Sequence, residues 1–180
     1  MKTILLSSLA ALSLAITCNS GIAQTNDMQG QLSSKDYKFV KEAAKSGQMD
    51  ITLGQIATQN AEDPAVHDFG AKMVQDCQAA NADLTKILAQ KGAAVSGAPG
   101  WLDKRIIDHL QGLKGGEFDK AYMKDMVKYH QEDIKVFQEE AANGEDADIR
   151  NFANTTLPTL QEHLRTAQDI DARLNPTASN

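Results

Sequence analysis

Of 180 residues only two are cysteine and four are proline, aromatic side chains make up 5%, and positive charge is outnumbered by negative. Each shortage removes a class of protein. The cysteines, Cys18 and Cys77, form no CxxC redox pair, and neither a Gly-rich phosphate loop nor a Gly-x-Ser-x-Gly elbow occurs. So few aromatics argue against a β-sandwich core and, with 42% hydrophobic residues, favour packed helices. Lys plus Arg number 18 against 24 Asp plus Glu, a formal charge of -6. With no basic patch to grip phosphates, nucleic acid is not an expected partner. The length suits one domain of ordinary size.

Long hydrophobic runs are scarce as well. The one that exists follows Lys2, from Ile4 to Ile16, which is the length of a secretory h-region and too short to span a bilayer comfortably. Gly21-Ile22-Ala23 then offers a small-x-small cleavage site, which predicts a signal peptide over 1–23 and a mature start near Gln24. Lipid attachment at Cys18 is the competing reading, although Ala15 and Thr17 suit a lipobox poorly. Cleavage removes only Lys2 among the charged residues and leaves a net charge of -7. The expected product is exported, periplasmic or envelope-associated, and not integral to the membrane. Its one remaining thiol, Cys77, must be buried, ligand-bound or paired between chains.

Apolar residues recur at helical spacing in four long segments. The first runs from about Ser34 to Gln59 behind a Ser33 or Ser34 cap, and the second starts at the Asp63-Pro64 signal and ends at Lys91-Gly92. The third spans about Gly116 to Ala142. The fourth is capped by Asp146 and ends before Asn175-Pro176, with Pro158 expected to kink it. Two connections are short, which makes antiparallel hairpins. The middle one holds about 26 residues, including a short helix from Trp101, and can run the roughly 40 Å length of the bundle. The prediction is all-α, a ferritin-like four-helix bundle over 34–174 with a crossover containing an extra helix, between tails at 24–33 and 175–180.

Four residues contradict the faces they occupy. Cys77, His130 and His163 lie on apolar stripes, and Asp50 sits at the edge of one. Counting 1.5 Å per residue along the predicted topology places them about 15–21 Å from one end, each on a different helix. An oxygen, a sulfur and two imidazoles on one level suit a tetrahedral Zn²⁺ or another divalent first-row ion. The same residues can equally form a metal-free polar layer, with histidines bonded to the carboxylate and water and Cys77 packed as a small hydrophobe. A di-iron centre is excluded, because Val127 and Leu160 stand where Glu-x-x-His needs glutamates. A thiolate–imidazole pair needs an accessible thiol, which the mid-helix place of Cys77 denies. Asp76, Asp133 and Glu162 are either partners standing behind the layer or solvated surface, and surface is the expectation; His67 and His109 also read as surface.

The stretches FVKEAAKSGQMDITLGQIA from Phe39, FGAKMVQDCQAAN from Phe69, FDKAYMKDMVKYHQEDIKVF from Phe118 and LPTLQEHLRTA from Leu157 resemble the bacterial family called domain of unknown function 4142, sometimes labelled outer membrane proteins. The resemblance covers nearly all of the mature chain. It implies a ferritin-like bundle and export, and it leaves the activity open. The family pattern carries Glu at the position of Asp50 and His at that of Cys77, while His130 and His163 agree. In a metal site these departures favour Zn²⁺ or Cu(I). In a purely structural layer, thiol in place of imidazole leaves a small void. The expectation is an exported binding or stress-related accessory protein rather than an enzyme. A structural or interaction bundle is the alternative, and a metal-dependent enzyme the second. Partners are an unknown envelope protein, a small ligand, or a second copy through the outer helix at Trp101.

Overall fold

Five helices follow one another in the computed structural model, which describes residues 27–176: α1 (Ser34–Asn60), α2 (Pro64–Gln90), α3 (Trp101–Gly112), α4 (Gly115–Asn143) and α5 (Ala147–Leu174). The signal peptide expected over 1–23 lies outside the described residues. Side-chain caps set three of the starts. Ser33 accepts the Asp36 amide, Asp63 that of Ala65, and Asp146 those of Asp148 and Ile149. α5 continues through Pro158, whose missing N–H leaves the Asn154 carbonyl without its ladder donor.

Contacts at the two ends establish the topology. At one end Lys91, closing α2, pairs with Asp146 and Asp148 at 2.8 and 2.7 Å, and Lys35 at the start of α1 donates to the Asn143 carbonyl at 3.0 Å. At the other end Asn60 donates to the Leu113 carbonyl at 2.9 Å, and Arg173 pairs with Asp63 at 2.5 Å. Hence α2 and α4 both start at the second end and finish at the first. They are parallel, the crossover through α3 runs the length of the bundle, and the fold is ferritin-like. α1 packs most closely on α2 and α4 on α5. The first seam is tight because it is lined by glycine: a Cβ on Gly54 would lie 2.7 Å from the Gly70 carbonyl oxygen. Residues 27–33 are docked on the crossover through a Met28–Ala94 backbone pair and a buried Leu32.

Each hairpin turn is held by a buried carboxylate from the opposite hairpin. Asp36, at the head of α1, accepts the amides of Glu145 and Asp146 at 2.8 and 3.0 Å. Asp119, in the first turns of α4, accepts those of Glu62 and Asp63 at 3.2 and 2.9 Å. These four N–H groups sit at turns where no helical carbonyl can reach them. Burial disfavours charge on Asp36, but hydrogen bonds from Glu145, Ser33, Glu140 and Asp146 outweigh it and hold its carboxyl below the usual range.

Beside Asp36 lies Glu140, itself only 2% exposed, whose pKa burial and the Asp36 carboxylate push up to about 7. The folded chain therefore retains a proton that the unfolded chain releases near pH 4.5. Its contribution to stability is complete below that pH and is lost as pH rises through 7. Glu140→Gln should leave the melting temperature at about pH 4 nearly unchanged and raise stability at pH 8.5 by about 2–3 kcal/mol relative to the parent. Parallel melting curves at all pH values would show that Glu140 is ionised throughout.

Candidate functional site

The apolar interior divides into two clusters, and the four singled-out residues lie at their boundary. One cluster includes Met49 to Ala57, Val66 to Cys77, Phe118 to Met126, and Ala167 with Ile170. The other includes Phe39 to Ala43, Leu84 to Ala93, Phe137, and Ile149 to Leu160. His130 falls in the gap on α4 and His163 in the gap on α5. Cys77 ends the first cluster on α2, and Asp50 stands among its first members on α1. All four are buried, at 3%, 6%, 0% and 2% exposure for Asp50, Cys77, His130 and His163.

Within the layer they form two pairs. The His130 and His163 rings meet edge to face with centroids 5.5 Å apart, and Phe69 packs against both at 6.5 and 6.2 Å. On the other side the Cys77 thiol points its proton at Asp50 Oδ2, 3.9 Å away. Burial first, and the Asp50 and Asp76 carboxylates after it, push the Cys77 thiol up, so it is no thiolate nucleophile. Thiol reagents should modify Cys77 only on the timescale of structural opening and rapidly in denaturant. Fast native labelling would place the sulfur at the surface.

The imidazoles have defined tautomers. His130 Nδ1 lies 2.9 Å from the Met126 carbonyl oxygen and His163 Nε2 lies 2.7 Å from Asp76 Oδ2. Both oxygens only accept, Asp76 being held ionised by Lys72 and His163 against the effect of burial, so both of these nitrogens carry hydrogen. The opposite atoms, His130 Nε2 and His163 Nδ1, are then lone pairs. Both are buried without a hydrogen-bond partner. Burial lowers both pKa values and keeps the rings neutral, a state in which imidazole binds metals. Fixing the far nitrogen on a carboxylate or a carbonyl is how proteins orient histidine ligands.

Other donors complete the picture. A cavity of about 40 Å³ touches Asp50, Asp76, Cys77, Thr156 and His163, enough for a water molecule or an ion. It lies beside the Cys77 thiol. Tyr122 Oη is also buried without a partner. Among the described residues no three His, Cys, Asp or Glu side chains stand close enough to hold a metal ion as they are. Two expectations are corrected. Asp76 is no solvated residue but the anchor of His163, and Asp133 is half-buried beside Asp50; burial raises both of these carboxyl pKa values, and the Asp50 charge raises that of Asp133 further. Glu162, His67 and His109 are exposed. Trp101 is 68% exposed on α3.

The model of a family described as "Domain of unknown function (DUF4142)" matches residues 22–170. No curated protein matches the chain in sequence. Two solved structures share the fold. A DUF305 fragment from Deinococcus radiodurans is 11% identical with a TM-score of 0.70, covering 79% of this chain and 98% of its own. A DUF305 protein from Streptomyces coelicolor is 14% identical with a TM-score of 0.69, covering 81% and 96%. At such identities the likeness concerns architecture alone. Among the described residues no helix is long and apolar enough to cross a membrane.

Proposed function

The chain belongs to the DUF4142 family, a domain of unknown function, and from that premise we propose that it is an exported accessory protein whose buried imidazole pair binds one borderline or soft transition-metal ion, Zn²⁺ or Cu(I). One observation carries the reading: two neutral, buried histidines meet across the α4–α5 seam, each with one nitrogen anchored and the other unpartnered. Leaving two such atoms bare costs about 1–3 kcal/mol each, a penalty that a bound cation removes. His130 Nε2 and His163 Nδ1 are the primary donors. Cys77 is the third, its proton passing toward Asp50 when a cation makes the thiolate favourable. Asp50 thus acts beside the site rather than as a ligand. An ion held there serves storage, delivery or sensing.

Export is supported by the N-terminal sequence and by the start of the family match at residue 22, next to the expected cleavage site. One structural relative is itself described as a candidate secreted protein. A second reading rests on the small cavity and on the lack of three preset donors: a structural layer that holds water and fixes helix register.

Elemental analysis of the mature chain purified without a polyhistidine tag separates the two. The metal reading expects near one equivalent of Zn or Cu, lost in His130→Gln and in His163→Gln while helical content persists. A metal-free protein that takes up neither ion would leave the layer structural.

A further inference from the structure

A second site opens on the other side of Asp50. Between α1, α3 and α4 lies a solvent-connected pocket of about 290 Å³, near the lower limit for small-ligand sites. Its lining is of two kinds. Met49, Ile106 and Val136 supply apolar surface, while Asp50, Asp133 and Glu132 supply carboxylates.

Asp50 is the decisive residue. It is 97% buried and lines this pocket, yet no N–H or O–H donor among the described residues reaches it, and the weak thiol contact at 3.9 Å is its only hydrogen bond. Asp133 stands next to it as a second carboxylate. Burial raises the pKa of both, and only the Ser46 hydroxyl on Asp133 and the thiol on Asp50 reach the pair, so a bound cation would supply the missing counter-charge. A bare divalent ion is a poor candidate, since no three acidic groups converge to metal distance. The apolar lining calls for a cation with a hydrocarbon body. The pocket rim already shows such a pairing: Lys45, an ammonium on an alkyl stem, reaches from α1 to Asp103 on α3 at 3.0 Å.

We propose that this pocket binds a small aliphatic amine in its ammonium form, with the charged group between Asp50 and Asp133 and the alkyl chain on Met49, Ile106 and Val136. The site shares Asp50 with the Cys77 thiol but takes no atom from the imidazole pair. It gives the bundle a route to recognise cationic metabolites by shape and charge, with the Lys45–Asp103 bridge guarding the mouth.

Titration calorimetry with cadaverine on the mature protein tests this. Saturable one-to-one binding is expected, weakened tenfold or more by Asp133→Asn and by raised salt, and unaffected by Glu162→Gln outside the pocket. Lys45→Ala, which removes the competing ammonium, should strengthen binding, so the test survives if Asp133→Asn folds poorly. His130→Gln should abolish metal uptake but preserve amine binding, which separates the fate of this site from that of the metal reading. Equal binding by Asp133→Asn, equal heats from uncharged pentanol, displacement by Mg²⁺ at equal concentration, or no heat at millimolar cadaverine would each overturn the proposal.

Discussion

Asp119→Ala should destabilise the bundle by about 3 kcal/mol and lower its melting temperature by roughly 10 °C, although the residue lies far from the polar layer. Two amides at the α1–α2 turn depend on this carboxylate, which is only 2% exposed and reaches them from α4. A hydrogen bond to an ionised group is worth about 1.5–3 kcal/mol, and water can reach the turn in part, so the lower half of the summed range applies. Asp36→Ala should cost a similar amount at the opposite end through Glu145 and Asp146. Because the two clamps share no partner, their effects should add within about 0.5 kcal/mol in the double variant. Chemical denaturation of the three variants is the check. Losses under about 1 kcal/mol would mean that solvent already satisfies the turns.

The second large effect belongs to the metal. A ligand bound only by the folded state stabilises it by about 4 kcal/mol at a thousand times its dissociation constant, so chelation of the loaded protein should lower the melting point by roughly 10 °C. Zn²⁺ or Cu(I) should restore it. His163→Gln should erase the response, and Asp76→Asn should weaken affinity about 10–100-fold by loosening the ring that Asp76 holds. The unliganded parent and His163→Gln should differ little in stability, because the substitution also removes a buried unpartnered nitrogen. Identical melting with and without each ion in the parent would contradict metal binding.

Most of the architecture was legible before any coordinates, because caps, prolines and apolar periodicity agreed. Ser33, Asp63-Pro64 and Asp146 start their helices as expected, and connection lengths alone distinguished one long crossover from an up-down bundle. The polar layer was legible for the same reason: a histidine on an apolar stripe has nowhere to go but inward. Residues at the edges of stripes were harder. Asp76 and Asp133 sit one position or one turn from the inward line, where a carboxylate points either to water or across a helix seam, and only packing decides. Asp36 and Asp119 stand near helix starts, where the macrodipole alone favours an acidic residue, and nothing in the sequence singles them out. Their partners lie 109 and 57 positions away, a relation that no local pattern encodes.

Nitrogen-15 NMR of the histidine rings tests the central claim most directly, since it reports protonation and ligation atom by atom. At neutral pH the account predicts hydrogen on Nδ1 of His130 and on Nε2 of His163, with His130 Nε2 and His163 Nδ1 resonating as bare lone-pair nitrogens. One equivalent of Zn²⁺ or Cu(I) should then shift those two bare nitrogens strongly and the protonated ones weakly. Protonated Nε2 on His130, or two rings whose spectra ignore a saturating metal, would contradict it.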